Sequence, residues 1–172
     1  RQMCIRDRLR NVLSEIHLPK RNFHSLFIIE EIISATKELA QNRHGALIVI
    51  ERNVGLKDFT RTGVVINADV TKELILSIFY PKNPLHDGAI IISQDKIFAA
   101  KCILPLSDEK YCASFGTRHR AGAGIAQYTD AISIIVSEEK GTISVCIGRD
   151  FYYNVSIEKL RELLTESLKL PS

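Results

Sequence analysis

Gly45-Ala46-Leu47-Ile48-Val49-Ile50 is an apolar run bounded by His44 on one side and Glu51-Arg52 on the other. Consecutive apolar residues with no polar alternation describe a strand covered on both faces, as the strands of α/β sheets are. A strand of that kind needs a layer on each side of it. The run therefore predicts an α/β fold, a single domain with a central mixed β-sheet flanked by helices, over an antiparallel sheet with one wet face.

The segments around it agree. Upstream, Ile29, Ile32, Ile33, Thr36, Leu39 and Ala40 recur at steps of three and four, predicting a core-packing helix from Ser25, its expected cap, to about Gln41. Residues 9–24 read as a short helix and a loose connector broken at Pro19, which divides an N-terminal segment (1–24, with 1–8 read as partly non-native) from the main domain (25–170). Downstream, residues 53–58 read as a loop and 63–67 as a short strand. Thr71 is placed to cap a helix over 72–80 that Pro81 stops. Ile90-Ile91-Ile92 and the run 97–104 flank Gln94-Asp95-Lys96 and predict a hairpin, hence a partly antiparallel sheet. Residues 131–136 and 142–147 read as strands, and Ser156 caps a last helix with Ile157, Leu160, Leu164 and Leu168 on one face.

At 172 residues, with 45% hydrophobic and 25% charged residues, the chain is sized for one domain with a substantial core. A net charge of +3 is too mild to argue for nucleic-acid binding. The four cysteines are scattered without a CxxC, which favours reduced thiols over a zinc site or a disulfide framework. No stretch approaches the roughly 20 apolar residues of a membrane span.

Three short stretches carry chemistry. Pro84-Leu85-His86-Asp87-Gly88-Ala89 sets a polar pair at the mouth of the 90–92 strand, where a rigid sheet holds side chains at a cleft. Alone, Asp87-Gly88 reads as a turn. Gly116-Thr117-Arg118-His119-Arg120 enters a small-residue helix, Ala121-Gly122-Ala123-Gly124-Ile125-Ala126. A helix N-terminus with arginines suits phosphate, although neighbouring positions two apart cannot both face one side, so one arginine is expected to turn into packing. Alone this is a solvated basic helix start. Ser137-Glu138-Glu139 follows a strand and offers oxygen ligands for phosphate and a divalent metal, or simply an acidic turn. Together the three supply a carboxylate for a reacting hydroxyl, phosphate-binding cations and metal-compatible oxygens, the inventory of phosphoryl or nucleotidyl transfer. No Walker A, GxGxxG or GxSxG is present. The HD-type phosphohydrolases place their His-Asp pair in helices, unlike His86-Asp87 here.

Pro-Leu-His-Asp-Gly-Ala at 84–89, Leu-Pro-Leu-Ser at 104–107, Gly-Thr-Arg-His-Arg-Ala at 116–121 and Val-Ser-Glu-Glu at 136–139 resemble, in order and spacing, the diadenylate cyclases. The resemblance runs from about residue 9 to about 168 and leans to the membrane-associated, CdaA-type branch. It implies condensation of two ATP into cyclic di-AMP and two pyrophosphates, in a homodimer whose subunits face each other. It further implies Asp87 as activator of the 3′-hydroxyl with help from Mn²⁺, Mg²⁺ or Co²⁺, and His86 and Glu139 as further metal ligands. Gly88 and Ala89 would lie against ribose and base, and Ile103 and Leu104 against adenine. Thr117, Arg118, His119 and Arg120 would handle phosphates, joined by Ser137. Where the family often has tyrosine before Leu104, this chain has Ile103. The branch implies a cytoplasmic catalytic domain tethered to the cell membrane by segments outside this chain. The rival readings are a catalytically silent module that binds ATP or cyclic di-AMP, and a nucleic-acid-binding domain.

Overall fold

The computed structural model describes residues 20–109 and 114–168. Its centre is a seven-stranded mixed sheet in the order β2-β4-β3-β1-β5-β6-β7. The strands are β1 (Ala46–Ile50), β2 (Val64–Asp69), β3 (Ala89–Ser93), β4 (Lys96–Cys102), β5 (Ile132–Val136), β6 (Ile143–Ile147) and β7 (Asp150–Tyr152). The helices are α1 (Lys20–Gln41), α2 (Lys57–Thr60), α3 (Lys72–Ile78), α4 (Thr117–Tyr128) and α5 (Ile157–Leu168).

β1 is the middle strand and is buried throughout. Its alternating side chains feed two separate cores, as the strand period of two requires. Ala46, Ile48 and Ile50 join the core beneath α1, α3 and α5, built from Ile32, Leu39, Ile75, Ile90, Ile134 and Leu164 among others. Leu47 and Val49 face the opposite core with Leu56, Ile91, Ile125 and Ile135, where α4 lies. The three layers expected from the apolar run are present. Each fully buried isoleucine here contributes about 1.5–3 kcal/mol by leaving water.

Pairing gives the sheet its mixed character. β1 runs parallel to β3 (Ile48 beside Ile90) and antiparallel to β5 (Ala46 beside Val136). β3 and β4 form the expected hairpin, closed by Gln94 and Asp95 with φ of 49° and 64°, the twisted turn that matches strand twist. Thr71 caps α3 as read, its Oγ1 accepting from Leu74 N at 3.3 Å. Ser156 likewise accepts from Lys159 N at 3.1 Å.

Several boundaries differ from the sequence reading. α1 begins at Lys20, so Ser25 lies inside the helix rather than capping it and residues 20–24 are not a loose connector. The reading of 9–19 lies outside the described residues. Residues 57–60, read as loop, form one helical turn. The strand read over 97–104 ends at Cys102, after Lys101 takes a φ of 57°. β7 has only three residues and no apolar run to announce it.

Candidate active site

The mixed topology brings unlike strand ends to one rim of the sheet. β1 and β3 begin there, antiparallel β4 and β5 end there, and β6 begins beside the end of β5, with Val136 opposite Ile143. Gly88, Leu104, Ser137 and Thr142 are therefore neighbours although they are far apart in the chain. A cavity of about 1070 Å³ opens at this rim, roofed by the first turn of α4.

Asp87 is exposed at its mouth, in the loop leading into β3. Behind it Gly88 takes a φ of 119°, and a Cβ there would come within 2.9 Å of Cys102 O. The Asp87 backbone is thereby pressed against the end of β4, which gives the carboxylate a rigid base. His86 Nδ1 lies 2.6 Å from Asn83 O. A carbonyl only accepts, so Nδ1 carries the hydrogen and Nε2 is the ring nitrogen outside this bond.

α4 begins after Gly116 in extended conformation, with no side chain capping its first turn. The N–H groups of His119 and Arg120 turn back to Gly116 O at 3.1 and 3.2 Å, which leaves those of Thr117 and Arg118 as the orphan donors of the helix start, and both of these residues line the cavity. Arg118 and Arg120 diverge. Arg118 lines the cavity, its Nη1 donating to Glu138 Oε2 at 2.6 Å. Arg120 turns to the segment after β4, where Nε donates to Ser107 O at 3.3 Å and Nη2 to Asp108 Oδ1 at 3.4 Å. It does not line the cavity and instead pins that segment to α4, an arrangement reinforced by Ser107 N donating to Arg120 O at 2.9 Å.

His119 is buried between α4 and β6, stacked on Phe115 at 5.1 Å, with Ser144 Oγ 3.4 Å from its Nε2. Burial, and secondarily the charge of Lys140, hold its pKa below the usual histidine value. It is a neutral, anchored side chain at the cavity wall. Small residues let α4 settle onto the sheet, with Ser133 Oγ donating to Gly122 O at 2.8 Å.

The remaining residues named from the sequence divide in two. Leu104 is buried at the cavity floor, while Ile103 is 70% exposed at its edge, its N–H donating to Thr62 Oγ1 at 2.8 Å. Ser137 and the exposed Glu139 line the opposite wall. Ala89 is fully buried in β3, in register with Cys102, and offers the cavity no side chain. Thr62, Lys101, Phe115, Lys140 and Tyr153 also line the cavity. None carried a motif in the sequence, and only the fold brings them there. Cys102 lies beneath it, its thiol pKa pushed up to about 11 by burial.

Among the described residues no three His, Cys, Asp or Glu side chains gather as a closed metal site. His86, Asp87 and Glu139 nevertheless line one cavity.

The family model described as DisA bacterial checkpoint controller nucleotide-binding (DAC) matches residues 33–151. Cyclic di-AMP synthase CdaA of Bacillus subtilis is 45% identical over 142 residues, spanning 82% of this chain and 52% of that protein. A diadenylate cyclase of Listeria monocytogenes is 44% identical over 151 residues, spanning 84% and 55% respectively. The chain thus spans about half the length of the curated relatives it matches. A crystal structure of a double mutant of DacA from Staphylococcus aureus superposes with a TM-score of 0.81 at 43% identity, covering 83% of this chain and 96% of that one. A hypothetical membrane spanning protein from Bacillus cereus does so with a TM-score of 0.70 at 41% identity, covering 74% and 63%. With its motifs gathered at one cavity and this likeness along most of its length, the chain belongs to the diadenylate cyclase (DAC) family.

Proposed function

We propose that this chain condenses two molecules of ATP into cyclic di-AMP, releasing two pyrophosphates, at the interface of two facing copies. The observation that carries the reading is the convergence of Asp87, Thr117, Arg118, Ser137 and Glu139, from three separate stretches, on one cavity of about 1070 Å³. That volume is ample for one nucleotide per chain. The relatives named as cyclic di-AMP synthase and diadenylate cyclase support the reaction type.

The division of labour follows from position. Ile103, Leu104 and the aromatic rim of Phe115 and Tyr153 offer apolar contact to a purine. The free N–H groups at the start of α4, the Thr117 hydroxyl and Arg118 face phosphate oxygens. Arg120 is a positioning residue in this scheme, acting through the segment it holds. Asp87 stands exposed at the mouth, where it can accept the proton of a 3′-hydroxyl. Each hydroxyl oxygen forms a bond to the α-phosphorus of the opposite nucleotide as the bond to pyrophosphate breaks. A single chain holding one nucleotide lacks the second partner, so catalysis requires a homodimer.

His86 through Nε2, Asp87 and Glu139 are the residues that would hold a divalent ion. Such an ion, Mn²⁺, Mg²⁺ or Co²⁺, supplies charge neutralisation at the phosphates. No helix among the described residues is long and apolar enough to cross a membrane. The likeness to a protein described as membrane spanning supports a cytoplasmic domain tethered through segments outside this chain. The catalytic unit is taken as 25–170 together with the earlier start of α1.

Incubation with ATP and each of the three metals, followed by chromatography for cyclic di-AMP, tests the reading. Product that rises more steeply than linearly with protein concentration supports it. ATP binding without product under any metal, at high protein concentration, leaves a silent binding module instead.

A further inference from the structure

The charges lining the cavity are unevenly committed. Arg118 is paired with Glu138 at 2.6 Å, and Arg120 is engaged with Ser107 and Asp108 outside the cavity. A paired guanidinium adds little net positive charge, and a helix N-terminus supplies only about half a unit. A nucleoside triphosphate carries several negative charges. Of the cationic side chains that line the cavity, Lys101 and Lys140 have no ion-pair partner among the described residues.

They occupy opposite ends. Lys101 stands at the end of β4 beside Gly88, next to Asp87. Lys140 belongs to the turn between β5 and β6, where its N–H reaches Ser137 Oγ at 3.3 Å and Gly141 N donates to Ser137 O at 2.8 Å. Its side chain is exposed and lines the cavity on the wall that carries Ser137. Two residues on, Thr142 also lines the cavity, and its Oγ1 is buried with no hydrogen-bond partner among the described residues. An unpaired ammonium and an unspent hydroxyl thus share the turn that carries Ser137. Buried polar atoms without partners are rare, and one at a cavity wall points to a ligand oxygen.

We propose that Lys140, with the Thr142 hydroxyl, forms a subsite for the β- and γ-phosphates of a nucleoside triphosphate. The inference rests on the cavity being a nucleotide site and adds to it a means of telling substrate from product. Cyclic di-AMP and AMP lack β- and γ-phosphates, so neither engages Lys140. The subsite then favours entry of ATP without favouring retention of the product.

Calorimetric binding of ATP, AMP and cyclic di-AMP to wild-type protein, K140Q and K140R tests this. Working near pH 8 keeps His119 neutral in every variant, so loss of the lysine charge cannot act through its titration. K140Q is expected to weaken ATP on the order of tenfold while AMP and cyclic di-AMP change by less than about twofold, and K140R to recover most of the loss. AMP binding serves as the internal check on folding, and K159Q on α5, remote from the cavity, controls for net charge. Equal weakening of all three ligands, or unchanged ATP binding, overturns the subsite while leaving the nucleotide site standing. Failure of the wild-type protein to bind any of them overturns both.

Discussion

Arg118 Nη1 lies 2.6 Å from Glu138 Oε2, and Gly45, at the entry to β1, is packed directly against the pair. A Cβ at residue 45 would run into the Arg118 guanidinium and come within 2.9 Å of Glu138 Oε2. The strand that organises the sheet thus also sets where the cavity's arginine can lie. Glu138 is 63% exposed, so the ion pair itself adds little stability, about 1 kcal/mol at most. Its value is in orienting the guanidinium.

Gly45→Ala should therefore cost more function than stability. The expected result is a fall of at most a few degrees in Tm, with the KM for ATP raised roughly tenfold and a smaller effect on kcat. Thermal denaturation beside steady-state kinetics checks it. A large fall in Tm with unchanged KM in the surviving enzyme would show that the glycine serves packing alone.

Asp87→Asn removes the proton acceptor and keeps the shape. Asp87 is exposed and makes no hydrogen bond that the fold depends on among the described residues, so Tm should stay within about 2 °C. Formation of cyclic di-AMP should drop by at least about 100-fold, the usual scale for loss of a general base. ATP binding, measured by calorimetry, should survive within a few fold. A variant that cyclises at near wild-type rate would remove Asp87 from the chemistry.

His119 links the cavity wall to pH. Burial first and the Lys140 charge second hold its folded pKa below the ordinary value of 6.5. Below 6.5 the unfolded chain takes up a proton that the folded chain resists, so folding stability declines as pH falls from 6.5 toward the folded pKa. Above 6.5 both states are neutral at this residue and its contribution is constant. Urea denaturation from about pH 7.5 down to about pH 5 should show this decline, and His119→Gln should flatten that part of the profile. An unchanged slope in the variant would assign the decline to other groups.

Legibility divided along the line between local and non-local causes. The buried strands were legible because Ala46–Ile50 and Ala89–Ser93 are apolar without interruption, and the caps at Thr71 and Ser156 because capping is a short-range rule. The divergence of Arg118 and Arg120 followed from helix geometry alone, at 100° per residue. Which strand lies parallel to β1 was not legible, since Ile90 and Ile134 are equally apolar partners for Ile48. The Arg118–Glu138 pair joins a helix start to a strand end twenty residues away, and no spacing rule encodes it. Ala89 was placed against the nucleotide by its motif, yet its side chain is consumed by the sheet. Lys101 and Lys140 carried no signal, because an isolated lysine looks the same on a solvated surface as at a cavity.

Gly88 separates two reasons for needing glycine. Its φ of 119° disfavours any side chain, and a Cβ would also lie 2.9 Å from Cys102 O and from Lys101 C, backbone atoms that cannot swing aside. Gly148 shares the first condition, with a φ of 59°, and lacks the second, since nothing lies within 4 Å of its Cβ position. Gly148→Ala should therefore cost about 1 kcal/mol from backbone conformation alone. Gly88→Ala should cost about 2–4 kcal/mol, because β3 and β4 must part at their cavity ends. The displacement also moves the Asp87 carboxylate, so cyclisation should fall well beyond the loss of folded protein, whereas Gly148→Ala should leave specific activity unchanged. Urea titrations of the two variants, with activity measured per folded molecule, decide the matter. Equal destabilisation in both would mean that close approach of β4 is not what holds Asp87 in place.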